Sequence, residues 1–169
     1  MKYLVYRRKI MNPWLFSFLI SCALLIALLN WKELSTNIHG GILSTMFKLF
    51  EEVLADKYNI FEYSYFGLNL PQWAFFLSGI NVFMVGIAFN MGIIIMQFFP
   101  VRPGWQLVYV LVWGFFILGF NKMAEDFNLI MFTNFKYFYV IRQLFLFLFL
   151  AWFKDHYLSK VGRAAAVRG

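Results

Sequence analysis

Two long apolar runs, Gly104–Phe120 and Phe138–Phe153, flank a short segment carrying Lys122, Glu125, Asp126, Asn128 and Asn134, and the second run contains Arg142. An arginine embedded in Phe, Leu and Ile is costly unless a counter-charge answers it. In water this arrangement has no good solution. In a bilayer it reads as a helical hairpin with an ionic cluster near one membrane face. The rest of the chain agrees with an apolar solvent. It is 62% hydrophobic and 22% aromatic but only 14% charged, with a mean hydropathy of +0.68. Soluble domains carry roughly a quarter of their residues as charges. The 23 Phe, 9 Tyr and 6 Trp suit lipid-facing and interfacial positions.

The first apolar run, Trp14 to Leu29, follows a basic start of Lys2, Arg7, Arg8 and Lys9. No small-x-small cleavage pattern follows it, so it is expected to be an uncleaved helix over about Pro13–Asn30 and not a signal peptide. Asn12 before Pro13 supplies an N-cap and a proline at the first helical position. Leu19-Ile20-Ser21-Cys22 loosely matches a lipoprotein acylation box, but the residues after Cys22 stay apolar, which favours a buried thiol. Cys22 is the single cysteine, so the chain forms no internal disulfide and no multi-cysteine metal site.

Ser35–Lys57 has helical periodicity. Ile38, Ile42, Leu43, Met46, Phe47, Leu49, Phe50, Val53 and Leu54 fall on one side, and Ser44, Lys48, Glu51 and Glu52 on the other. Such a helix is expected to lie in the extracytoplasmic interface with its charges in water. The alternative is a membrane-crossing helix whose acidic face is buried in the bundle. An aromatic loop follows, then further membrane helices over about 71–99, 104–123 and 134–154. Pro100 and Pro103 separate the first two of these. The fold expected is therefore all-α: four transmembrane helices, in one domain, plus one amphipathic helix at 35–57. The basic, alanine-rich tail at 160–169 has the composition of a vector-derived extension and is set aside.

The basic residues choose an orientation. With four spans, Lys2, Arg7, Arg8, Lys9, Arg102, Lys154, Lys160, Arg163 and Arg168 share the side of the termini. The positive-inside rule then places both termini in the cytoplasm. The net charge of +7 needs no nucleic-acid partner, because its sources are membrane flanks and not a clustered basic face.

Polar residues on the helices mark two places. Gln72, Gly79, Gly86, Asn90 and Gln97 share a narrow face of the 71–99 helix, a candidate packing seam whose amides can bond across a close contact. Asn121, Lys122, Glu125, Asp126 and Arg142 form the candidate binding cluster, with Glu125 or Asp126 expected to pair with Arg142. Lys122 and Asp126 also stand at i, i+4. His39 stands alone near Gly40-Gly41, and Glu51 and Glu52, being adjacent, point about 100° apart. No HExxH, GxSxG or Walker motif occurs, so no catalytic residue, metal or cofactor is expected.

From about Asn12 to Phe153 the chain resembles a family of small integral membrane proteins of spore-forming Firmicutes. The resemblance rests on the segments YNIFEYSYF, AFN…FFP and KMAEDFNLI. It implies a bacterial plasma-membrane protein and assigns no activity. The function expected is that of a non-enzymatic subunit or homo-oligomeric component of a membrane assembly, with lipid and membrane subunits as partners. The alternative is a small transporter, or a lipid- or small-molecule-binding protein, with a polar site near the extracytoplasmic face.

Overall fold

The computed structural model describes residues 13–63, 76–77, 80–100, 102–132 and 138–158. Five helices carry the fold: α1 (Pro13–Leu28), α2 (Leu34–Tyr58), α3 (Val82–Phe98), α4 (Pro103–Asp126) and α5 (Phe138–Phe153). A single 3-10 turn, Trp31–Glu33, joins α1 to α2 across a bend of 98°, and a π turn, Lys154–Leu158, extends α5.

The helix ends follow local chemistry. Asn81 caps α3 by accepting from the Phe83 and Met84 amides at 3.1 and 3.3 Å. Pro103 opens α4 at its first turn, where a missing amide proton is harmless. Asn59 ends α2 in the left-handed conformation, with its amide bonded to the Ala55 carbonyl. At the far end of α3, the Lys154 ammonium donates to the Met96 and Phe99 carbonyls at 3.0 and 2.7 Å. It thereby closes the negative pole of that helix.

Short strands were not foreseen in an all-α reading. β1 (Phe61–Tyr63) pairs antiparallel with β4 (Ile130–Phe132), matching Tyr63 to Ile130 and Phe61 to Phe132. β2 (Phe76–Leu77) pairs with β3 (Ile80–Asn81) just before α3. The helix expected over 71–99 therefore begins at Val82; residues 71–75 lie outside the described ones. The β1–β4 pair ties the end of α2 to the turn after α4, and so holds Tyr63 against the inward face of α2.

α3 is the central helix. Ile93, Ile94, Ile95 and Met96 are buried in succession, a run only a helix packed on several sides can show. α2 and α1 pack on it. α2 approaches it most closely where Gly40 meets Gly92: a Cβ on Gly40 would stand 2.4 Å from the Gly92 carbonyl oxygen, so no larger residue fits there. One core gathers Trp14, Ala55, Ile60, Phe61, Tyr63, Ala124 and Ile130, and a second gathers Ile95, Met96, Phe99, Val110, Leu146, Phe147 and Leu150.

Two expectations need correction. Among the described residues one helix, over Gly104–Asp126, is long and apolar enough to cross a membrane. There are two if α1 and α2 are taken together as one broken span. Four full spans are not found, because α3 has 17 residues and α5 has 16, short of the roughly 20 a straight crossing needs. The second correction concerns α2. Its charged face turns inward, with Asn37, Gly40, Gly41, Ser44, Lys48, Glu51, Glu52 and Ala55 all buried, while Ile42, Met46, Phe50 and Val53 face outward. Packing of the small and polar stripe against α3 overrides the interfacial arrangement.

Candidate functional site: a buried ion network beside an apolar cavity

The inward stripe of α2 places Lys48, Glu51 and Glu52 on consecutive turns at i, i+3 and i+4. Lys48 Nζ lies 2.7 Å from Glu52 Oε1 and 3.3 Å from Glu51 Oε1. These three side chains are no more than 6% exposed. β1 brings Tyr63 to the same point, where its hydroxyl accepts from Lys48 Nζ at 3.0 Å and donates to Glu52 Oε1. The Lys48 ammonium also stands 5.4 Å from the centre of the Phe61 ring, which with Tyr63 forms its aromatic floor.

Arg142 of α5 completes the network. Its Nη1 is 3.0 Å from Glu51 Oε2, a Coulombic contact off the hydrogen-bond line, and its Nε has no acceptor. Two cations and two carboxylates thus share one largely buried site, and their formal charges cancel. Burial and the two neighbouring carboxylates push the Tyr63 phenol well above its usual value, so it stays protonated and serves as a neutral donor.

Next to the network is a cavity of about 280 Å³. Its walls come from Leu24 of α1, Ile87 and Met91 of α3, Trp113 and Phe120 of α4, and Leu146 of α5, among others. Its polar atoms belong to few residues, notably Lys48, Glu51, Tyr63, Asn121, Arg142 and Gln143. The arrangement is mostly apolar with a small set of polar groups, the composition of a small-molecule pocket.

The structure places the residues singled out from sequence in three groups. Asn121 and Arg142 line the cavity. Lys122, Glu125 and Asp126 form a separate surface cluster, with Lys122 Nζ 2.7 Å from Asp126 and 3.4 Å from Glu125, and with Lys122 and Asp126 largely exposed. The carboxylate beside Arg142 is therefore Glu51, and not Glu125 or Asp126. α2 lies within the bundle and presents its acid to α5, a possibility closed off when that helix is placed in the interface.

The seam residues meet α1. Gly86 leaves room for the Phe18 ring, whose edge would be 2.5 Å from an added Cβ. Asn90 Nδ2 donates to Ser21 Oγ at 2.9 Å and to Cys22 Sγ at 3.2 Å. Gln97 accepts from the Asn30 amide at 2.8 Å and donates to the Leu28 carbonyl at 2.7 Å, closing the end of α1. Gln72 and Gly79 lie outside the described residues. His39 Nδ1 is 3.0 Å from the Thr36 carbonyl in its own helix, and its ring packs on Phe153. Among the described residues no three of His, Cys, Asp and Glu are placed to hold a metal.

Sequence reasoning passed over Lys48, Glu51, Glu52 and Tyr63 as a unit. The signal was present in the spacing 37, 40, 41, 44, 48, 51, 52, 55, which is a continuous small-and-polar stripe of helical period. In water such a stripe faces out; where the surroundings are apolar it faces in. Tyr63 carried no such signal, since a three-residue strand after a helix has no period to read.

The class the fold and site define is a mostly helical protein built around a buried, charge-neutral ion network, with one or two helices apolar enough to cross a membrane. Comparison with protein-family models, with curated proteins and with solved structures returned no match.

Proposed function

We propose that this chain is a membrane-embedded protein that binds an amphiphilic small molecule in the cavity between α1, α3, α4 and α5. The observation that carries this reading is the cavity itself: about 280 Å³ of mostly apolar space whose wall includes Lys48, Glu51, Tyr63 and Arg142 of the buried ionic network. Membrane embedding is supported by the polarity of the bundle, which is inverted relative to a water-soluble fold. Charged and amide side chains lie inside α2 and α3, while Ile26, Met46, Phe50, Leu107, Phe115 and Leu148 stand outside, each 60% or more exposed. An exposed apolar surface of this extent needs lipid or a partner to cover it. The Lys/Arg bias of the sequence supports both termini lying on the cytoplasmic side, and the resemblance to the Firmicutes family implies a bacterial plasma membrane.

Purification from membranes, followed by mass spectrometry of retained lipids, tests the binding reading. The unmodified chain is expected to carry a bound amphiphile, and Ala88→Phe, which fills the cavity, is expected to lose it. Equal lipid in both preparations would refute the proposal. Orientation is tested by placing a single cysteine at Lys160 in a Cys22→Ser background. An impermeant thiol reagent added outside should leave position 160 unlabelled until the membrane is permeabilised, and labelling from outside would refute the cytoplasmic placement.

A second reading, a subunit or homo-oligomeric component of a larger membrane assembly, is favoured by α4. Only 11% of its most apolar window is buried, and a Cβ added at Gly114 or Gly119 would meet nothing from another element within 4 Å. Cross-linking of intact membranes through cysteines at Val112 and Phe115 tests it; a ladder of defined stoichiometry is the expected result.

A further inference from the structure

We infer that the cavity takes a single-chain amphiphile with an uncharged, hydroxyl-type head, and not an anionic or cationic one; this rests on the cavity-binding reading above. The size of the space sets the first limit. At about 280 Å³ the space stands at the small end of ligand pockets, which run from roughly 300 to 1,000 Å³, a size that suits one chain better than two.

The electrostatics set the second. Lys48 is engaged by Glu51, Glu52 and Tyr63, and Arg142 by Glu51, so each formal charge in the wall is already answered, and with Glu52 behind the wall the four-residue network sums to zero. A charged head would add an unbalanced ion to a desolvated site, or would have to break a pair that is itself buried. The polar capacity that remains uncommitted is modest and mixed. Asn121 and Gln143 line the cavity, and each amide offers donors and an acceptor. The Arg142 guanidinium spends one nitrogen on Glu51 and has spare N–H capacity. A hydroxyl, one donor with two lone pairs, matches a wall that supplies both. A carboxylate or sulfonate accepts only, and a quaternary ammonium does neither.

The test uses the full chain in phosphatidylcholine nanodiscs carrying equal bilayer mole fractions of decanol, decanesulfonate or decyltrimethylammonium. Retention on the protein is read by native mass spectrometry. Decanol should be retained at least about tenfold over either charged probe, a difference of about 1.4 kcal/mol. The double variant Asn121→Leu/Gln143→Leu should keep its melting temperature and lose at least about fivefold in decanol retention. Ala88→Phe should retain none of the three. Equal retention of all three probes, or preference for a charged one, with loss in Ala88→Phe, would overturn the hydroxyl-head assignment and leave the cavity reading standing. Unchanged decanol retention in the double variant would overturn the placement of the head. Absence of every probe from the unmodified protein, or retention indifferent to Ala88→Phe, would overturn the cavity reading as well.

Discussion

Breaking the Arg142–Glu51 pair is the sharpest perturbation available. Arg142→Met removes one of two cations from a network holding two carboxylates, and leaves a net negative charge that is desolvated. At 3.0 Å and an effective dielectric constant near 20, the direct attraction is about 5 kcal/mol. Much of that is offset by the desolvation already incurred, so a net loss of about 3–5 kcal/mol is expected for the single variant. Glu51→Gln should cost a similar amount by stranding the guanidinium. The double variant restores neutrality, because Lys48, Glu52 and Tyr63 still satisfy one another. It should therefore lose only about 1–2 kcal/mol, giving a coupling energy of about 4 kcal/mol or more. Reversible unfolding of the four proteins by denaturing detergent in mixed micelles measures the cycle. A coupling below about 0.5 kcal/mol would mean that the pair is not an energetic unit, and the account of the network would fail. Lys122→Gln and Asp126→Asn provide the contrast: that ion pair stands in solvent, and neither variant should move the unfolding midpoint.

Three further predictions follow from the same geometry. The raised Tyr63 phenol means that the native state favours the protonated form. Stability should therefore be full below the ordinary value of 10.0 and fall as pH rises above it toward the folded-state value, and Tyr63→Phe should flatten that slope while losing about 1–3 kcal/mol at neutral pH. Gly40→Leu should wedge α2 from α3 and lose at least about 2 kcal/mol. Gly114→Ala, with open space around it, should be neutral or gain up to about 1 kcal/mol in thermal unfolding. Asn90→Leu should cost about 1–3 kcal/mol by removing the amide that donates to Ser21 and Cys22, and because Ser21 keeps its bond to the Phe18 carbonyl, Ser21→Ala in that background should recover none of the loss in the same melts.

What the sequence determined by itself was the solvent-facing chemistry and most helix limits. Pro13 and Pro103 are local signals, and α1, α2 and α4 begin or end within a few residues of where capping and periodicity put them, whereas the cap at Asn81 was not read and α3 starts later than expected. The face shared by Gly86, Asn90 and Gln97 was also legible, since helical spacing alone aligns them. The burial cost of Arg142 was legible too, because a charge in an apolar run demands an answer whatever the fold. The identity of its partner was not. Glu51 is 91 positions away in sequence, and it reaches Arg142 only because α2 turns its polar stripe inward onto α3. Periodicity gives the stripe but not its direction, which depends on whether water, lipid or another helix lies on each side. Gly40 against Gly92 decides that question, since those two glycines let the backbones approach until the polar stripe is sealed. The strand pairing that carries Tyr63 to Glu52, and the cavity left between α1, α3, α4 and α5, are likewise products of long-range packing. No local pattern encodes a void, because it belongs to the spaces between helices and not to any one of them.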